Sequence, residues 1–216
     1  MRDILSRRQF LSRTGTAVLL GSTVSTVAPL PSWGAAAAKV GEAAPAFTAA
    51  STAGTPVSLG AYKGKIVVLE WTNHECPYVR KHYETGNMQA LQKDATGQGA
   101  VWLTLISSAK GEQGYVTAAQ ADELTSTRKA VPSAVLLDDK GVVGHLYGAT
   151  NTPHMYVVDK AGILVYAGAI DDRPTTRRAD VQGANNYVRV ALEAVQAGQP
   201  VKTPVTRAYG CTVKYS

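Results

Sequence analysis

The chain has 216 residues, with 22 Lys and Arg against 16 Asp and Glu and a formal net charge of +6. Four of those basic residues (Arg2, Arg7, Arg8, Arg13) and one acidic residue (Asp3) fall within residues 1–36, which leaves 18 against 15 and a net charge of +3 for the rest. That mixed surface, with no basic stripe interleaved with aromatics, excludes a nucleic-acid binder.

The N-terminus reads as a targeting segment. Ser6-Arg7-Arg8-Gln9-Phe10-Leu11 is a twin-arginine pattern, and a weakly apolar stretch runs from about Thr14 to Ala28. Gly34-Ala35-Ala36-Ala37-Ala38 then offers the small residues of a cleavage site. The apolar stretch is too short and too mild for a membrane span. The expectation is a signal over 1–37 and export by the twin-arginine route to a bacterial periplasm, with no membrane contact afterwards. About 180 residues remain, enough for one domain with an adequate core. The domain is expected over 38–197, with a tail over 198–216.

Residues 40–62 read as an extended lead-in with turns. Ile66-Val67-Val68-Leu69 is a short β-branched run, the mark of a buried strand, expected over 66–71. After Pro77, the residues Tyr78, Val79, His82, Tyr83, Met88 and Leu91 recur at helical spacing, predicting a helix over about 77–93. A second strand is expected over Val101–Ser107. A helix N-capped by Thr117 runs through Ala121, Leu124 and Ala130 to Pro132. Ala134–Leu137 is a third strand, and Val142–Tyr147 a short helix ending at Gly148. A strand entered through Pro153 turns at Asp159–Gly162 and returns over Ile163–Ala169. A last helix spans about Asn185–Ala197. Strands alternating with helices, then a hairpin, make an α/β plan.

Cys76 lies where the first strand meets its helix, one residue before a proline suited to the first helical turn. Free amides and the helix dipole there favour a thiolate, and His74, Arg80, Lys81 and His82 add positive charge against Glu75. The bland alternative is a buried, inert core cysteine. The only other cysteine is Cys211, so the pair is either a single staple or a redox couple.

The ordered set Asn73-His74-Glu75-Cys76-Pro77, Thr152-Pro153-His154 and Tyr209-Gly210-Cys211-Thr212-Val213-Lys214 resembles the thioredoxin-fold redoxins. Within them it is similar to the peroxiredoxin-like group related to alkyl hydroperoxide reductases and thiol-specific antioxidant proteins. The resemblance implies a central mixed sheet flanked by helices and Cys76 at the head of the first main helix. It also implies a cis proline at Pro153 facing the cysteine, and an arginine beside the thiolate, with Arg173 the first candidate ahead of Arg128 and Arg80. The departures are specific. Where the thioredoxin pattern has a second cysteine after two intervening residues, this chain has Val79, so no local dithiol is present; where peroxiredoxins carry a threonine and a proline, this chain has Asn73 and Leu69.

The leading expectation is a thiol oxidoreductase in which Cys76 attacks a disulfide or a peroxide and Cys211 resolves the intermediate. His74 and Arg173 would favour the thiolate, and Asn73 would position the attacked atom. The partners are that substrate and a thiol electron donor, the protein acts as a monomer or homodimer, and no cofactor is called for. One alternative is a copper or zinc site of His74, Cys76 and His154. The other is a non-catalytic domain stapled by a structural disulfide.

Overall fold

The computed structural model describes residues 38–216; the expected signal over 1–37 lies outside the described residues. In chain order the elements are β1 (Thr48–Ser51), β2 (Pro56–Ser58), a 3-10 turn (Leu59–Tyr62), β3 (Val67–Trp71), α1 (Pro77–Glu84), α2 (Asn87–Gly97) and β4 (Val101–Ile106). They continue with α3 (Ala118–Thr127), β5 (Ala134–Leu137), α4 (Val142–Tyr147), β6 (Asn151–Thr152), β7 (His154–Val158) and β8 (Leu164–Gly168). A second 3-10 turn (Arg178–Val181), α5 (Tyr187–Gln196) and β9 (Cys211–Thr212) complete the chain.

Seven strands form one mixed sheet in the order β2-β1-β5-β4-β3-β7-β8, and β6 pairs separately with β9. The three central strands, β5, β4 and β3, are parallel, with Val68 beside Trp102 and Thr104 beside Val135. β1 and β7 run antiparallel to them, and the outermost β2 and β8 run antiparallel to β1 and β7. All five residues of β3 are buried, as expected of a strand covered on both faces. Successive side chains point to opposite faces. Val68 joins the layer of α1, α2 and α5 with Val79, Met88, Leu91 and Val188, whereas Leu69 and Trp71 join the opposite layer with Val143 and Tyr147 of α4. Trp71 meets Tyr156 edge-on at 5.1 Å and Tyr147 at 5.6 Å, a compact aromatic group that fixes the β3 C-terminus from which the Cys76 loop departs.

Glu70 breaks the apolar run of β3. It is fully buried and accepts hydrogen bonds from Tyr83 Oη at 2.7 Å, Trp102 Nε1 at 2.7 Å, Thr104 Oγ1 at 3.1 Å and Gln92 Nε2 at 3.2 Å. A buried carboxyl is costly unless its lone pairs are taken. Four donors from α1, α2 and β4 take them here, so the residue ties three elements together at the base of α1. Burial still raises its pKa above the usual carboxylate range, against those four hydrogen bonds.

The single helix expected over 77–93 is two. Gly86 adopts φ +76°, a backbone that an L side chain resists, and Thr85 Oγ1 turns back onto the Lys81 carbonyl at 2.8 Å. The apolar spacing continues across this break because Tyr83 and Met88 still face one core. The helix capped by Thr117 carries the expected cap, with a reciprocal Gln120 bond, but stops at Thr127 because Lys129 turns to φ +55°. The lead-in is part of the sheet, since β1 pairs with β5. The tail is more regular than expected. It meets β8 at Val205 and then forms β9, which pairs with β6. Among the described residues no helix is long and apolar enough to cross a membrane.

Candidate active site

β3 and the Asn73–Glu75 loop deliver Cys76 to the N-cap of α1, with Pro77 at the first helical position and no side chain capping the helix. The Cys76 thiol is fully buried. Sγ donates to the Thr152 carbonyl at 3.1 Å and receives the Cys211 amide at 3.4 Å. The Thr152–Pro153 peptide bond is cis.

What covers Cys76 is the tail. β9 pairs antiparallel with β6 in the register Thr152 opposite Cys211, and Val213 N bonds Thr150 O at 3.0 Å. Gly210 passes so close to the Thr152 carbonyl that a Cβ there would clash, and its φ of +115° suits glycine. Both cysteines are free thiols, and Cys211 is half-buried. Burial, then the hydrogen bond and charge of Cys76, push the Cys211 thiol up to about 12. Two sulfurs 135 positions apart in sequence therefore share one site, at the head of α1.

A polar cluster sits behind the tail. Lys81, His82 and Asp171 are each buried. Tyr209, two residues before Cys211, reaches them with its phenol, which donates to Asp171 Oδ1 and lies 3.1 Å from His82 Nε2 and 3.4 Å from Lys81 Nζ. His82 Nδ1 faces the Asn87 amide at 2.9 Å, which leaves Nε2–H to point at Tyr209. Burial, with Lys81 beside it, pushes His82 down to about 3, so the ring is neutral. Burial also lowers Lys81, which Asp171 at 3.8 Å opposes, and Lys81 Nζ donates to the Arg173 carbonyl at 2.7 Å.

The remaining expected residues distribute unevenly. Asn73 is buried beside Cys76 but its amide is committed: Oδ1 accepts from Glu75 N at 2.9 Å and Nδ2 donates to Gln113 O at 3.2 Å. It organises the loop, with its Oδ1 and one of its two Nδ2 hydrogens committed there. His74 is half-buried, and burial lowers its pKa, so it brings no charge to the sulfur at neutral pH. Its carbonyl instead receives Arg128 Nη2 at 3.2 Å, and that guanidinium lies over the Tyr83 ring at 4.8 Å. Arg173 is not brought to the sulfur: its guanidinium is 53% exposed and pairs with Asp172 at 3.4 Å, while its amide caps onto Asp171. Arg80 pairs with Glu84 in the next turn.

His154 starts β7 but stacks on Tyr156 at 4.6 Å, with Nδ1 receiving Thr150 N at 3.3 Å, and burial pushes it down to about 4. Among the described residues no three His, Cys, Asp or Glu side chains converge as metal ligands, so His74, Cys76 and His154 do not form the alternative site.

Sequence reasoning gave Lys81 only a charge near Cys76, and did not foresee the cluster of Lys81, His82, Asp171 and Tyr209 or the bond to the Thr152 carbonyl. The available signal was Lys81 and His82 at helical spacing from Tyr78, a face the fold buries.

No curated protein matches the sequence. Among solved structures, an uncharacterized conserved protein from Geobacillus kaustophilus is similar with a TM-score of 0.72 and 23% identity, covering 82% of this chain and 93% of that one. A hypothetical protein from Sinorhizobium meliloti is similar at 0.70 and 24%, covering 84% and 97%. A provisionally assigned thiol:disulfide interchange protein DsbE from Chlorobium tepidum is similar at 0.50 and 22%, covering 61% and 85%. These likenesses show a thioredoxin-like fold. The AhpC/TSA family model matches residues 40–167, which is more than half of the chain. The chain belongs to the AhpC/TSA family, as a redoxin of thioredoxin-like fold.

Proposed function

We propose that the protein is a thiol–disulfide oxidoreductase whose redox couple is Cys76 and Cys211. The observation that carries this reading is the meeting of the two thiols, with the Cys211 amide on Cys76 Sγ at 3.4 Å and the tail strand paired to Thr152. An inert core cysteine has no need of a partner thiol returned from the far end of the chain. The interchange assignment of the Chlorobium tepidum neighbour points the same way.

The chemistry balances without a cofactor. The Cys76 thiolate attacks a substrate disulfide, forming a mixed disulfide and releasing one substrate thiolate. Cys211 then attacks Cys76 Sγ, forming the Cys76–Cys211 bond and expelling the second substrate thiolate, which takes up the Cys211 proton. An external dithiol donor returns the pair to thiols by the reverse exchange. Both sulfurs belong to one chain, so a monomer suffices. The twin-arginine pattern supports action in a bacterial periplasm, where such couples operate.

Exchange is favoured over peroxide reduction by the surroundings of Cys76. Arg173, the arginine expected beside the thiolate, turns to Asp172 instead. A groove of about 580 Å³ lined by Tyr78, Asn151, Tyr187 and Tyr209 runs beside the tail and offers an extended substrate segment an approach.

The test is the Cys211→Ser variant presented with a model protein disulfide and, separately, with hydrogen peroxide. The reading expects a mixed disulfide trapped on Cys76 and slow oxidation by peroxide. Rapid stoichiometric sulfenic acid at Cys76 with no trapped disulfide makes the protein a peroxidase instead.

A further inference from the structure

The tail lies across Cys76 in the dithiol state, although no bond between the sulfurs holds it there. Beyond Cys211 its attachments are mostly backbone and ring contacts: Ala109 N to Lys214 O at 2.7 Å, Tyr215 Oη to Ala149 O at 2.6 Å, and the Tyr215 ring on His145. Before Cys211, the side chain that reaches the cysteine-bearing helix is Tyr209. Among the described residues its phenol is the one point where tail, α1 and the segment after β8 meet through polar atoms.

That meeting point is chemically unusual. A lysine, a histidine and an aspartate are buried side by side, and Asp171 Oδ2 has no hydrogen-bond partner. Apolar residues of similar volume would fill such a space at lower cost, so a buried polar cluster is better read as a device that specifies one arrangement. What this cluster specifies is the phenol. Asp171 accepts its hydrogen bond, neutral His82 donates to its oxygen, Lys81 lies within reach of the same oxygen, and the Tyr78 ring packs against it at 5.8 Å. Lys81 and His82 stand one and a half turns along α1 from Cys76, so the anchor and the reacting sulfur share one rigid element. Gly210 supplies the tight passage between anchor and cysteine.

We propose that Tyr209 is a positioning residue for the exchange reaction: its phenol, held by Lys81, His82 and Asp171, latches the tail so that Cys211 stays docked on Cys76 while both are thiols. The inference rests on the reading of the two cysteines as a redox couple. Held in place, Cys211 meets Cys76 at high effective concentration, because the ordering of the tail precedes the reaction. Released, the tail must first be recaptured, and Cys76 is uncovered.

The experiment is a glutathione redox titration of wild type, Tyr209→Phe and Gly210→Ala. It follows the balanced reaction in which the two thiols and one glutathione disulfide give the Cys76–Cys211 bond and two glutathione thiols. Tyr209→Phe keeps the ring and removes the latch. Gly210→Ala leaves the cluster intact and forces the strand from Thr152, so it reports independently. Both variants are expected to form the disulfide about ten-fold less favourably, a potential about 30 mV less negative for this two-electron couple. Alkylation of Cys76 in the dithiol form is expected to rise by about the same factor, in samples whose far-ultraviolet spectrum and melting curve show a folded domain. A wild-type constant and wild-type Cys76 protection in folded Tyr209→Phe overturn the latch, whatever Gly210→Ala does, since that variant reports only on the docking of the strand against Thr152. A wild type that forms no Cys76–Cys211 bond overturns the redox-couple reading itself, and the latch falls with it.

Discussion

Acidification probes the anchor of the tail through His82. In the native protein the ring is fully buried, with Lys81, Asp171 and Tyr209 facing it from α1, the segment after β8 and the tail, and Asn87 from α2. Burial is the larger cause and Lys81 the second, and together they push its pKa from 6.5 to about 3. The unfolded chain therefore binds one proton more than the native protein between those values. Stability contributed by neutral His82 is fully present above pH 6.5 and is lost as pH falls toward 3. Across that window each pH unit removes about 1.4 kcal/mol, so a shift from neutral pH to about pH 4.5 costs on the order of 2–3 kcal/mol from this residue alone. Urea unfolding at a series of pH values measures it, with His82→Gln as the reference, because glutamine offers both a donor and an acceptor without titrating. His154, also held down by burial, contributes in both proteins and cancels. The wild type should lose on the order of 2–3 kcal/mol more than the variant over this range. Parallel pH profiles for the two proteins refute the argument, because they require a native His82 that titrates as in the unfolded chain.

Other substitutions separate positioning from chemistry. Asn73→Ala removes the bonds to Gln113 and Glu75, and should cost about 1–3 kcal/mol in chemical unfolding while leaving thiol exchange at Cys76 intact. Arg173→Ala, whose guanidinium is half exposed on Asp172, should change exchange rate and stability little; a large loss of rate would place that charge at the sulfur after all. Thr117→Ala deletes a reciprocal cap and should lower unfolding free energy by about 1 kcal/mol.

Much of this arrangement is legible in the sequence because it is local. The β-branched run before Cys76, the proline after it and the apolar spacing beyond it place the cysteine at a strand–helix junction, where the structure has it. Thr117 with Gln120 likewise marks a helix start that needs nothing distant. The break at Gly86 was masked because Tyr83 and Met88 keep facing the same core on either side of it. The two-residue strand of Cys211 has no periodicity to read, and its pairing partner Thr152 is set only by the tertiary path. The same holds for the anchor. Lys81 and His82 read only as charges near Cys76, and their partners Asp171 and Tyr209 lie far along the chain. Glu70 reads as a flaw in a strand, and its four donors become visible only when α1, α2 and β4 are packed.

The most direct measurement is the state of Cys76 and Cys211 in the purified domain, titrated with dithiothreitol or glutathione and read by alkylation and peptide mass. An intramolecular Cys76–Cys211 bond that forms and breaks reversibly, at a potential of about −150 to −270 mV, is the predicted result and matches exchange catalysts. Two thiols that never join, or a bond that resists reduction to well below about −300 mV, contradict the account and leave a structural staple or an inert pair.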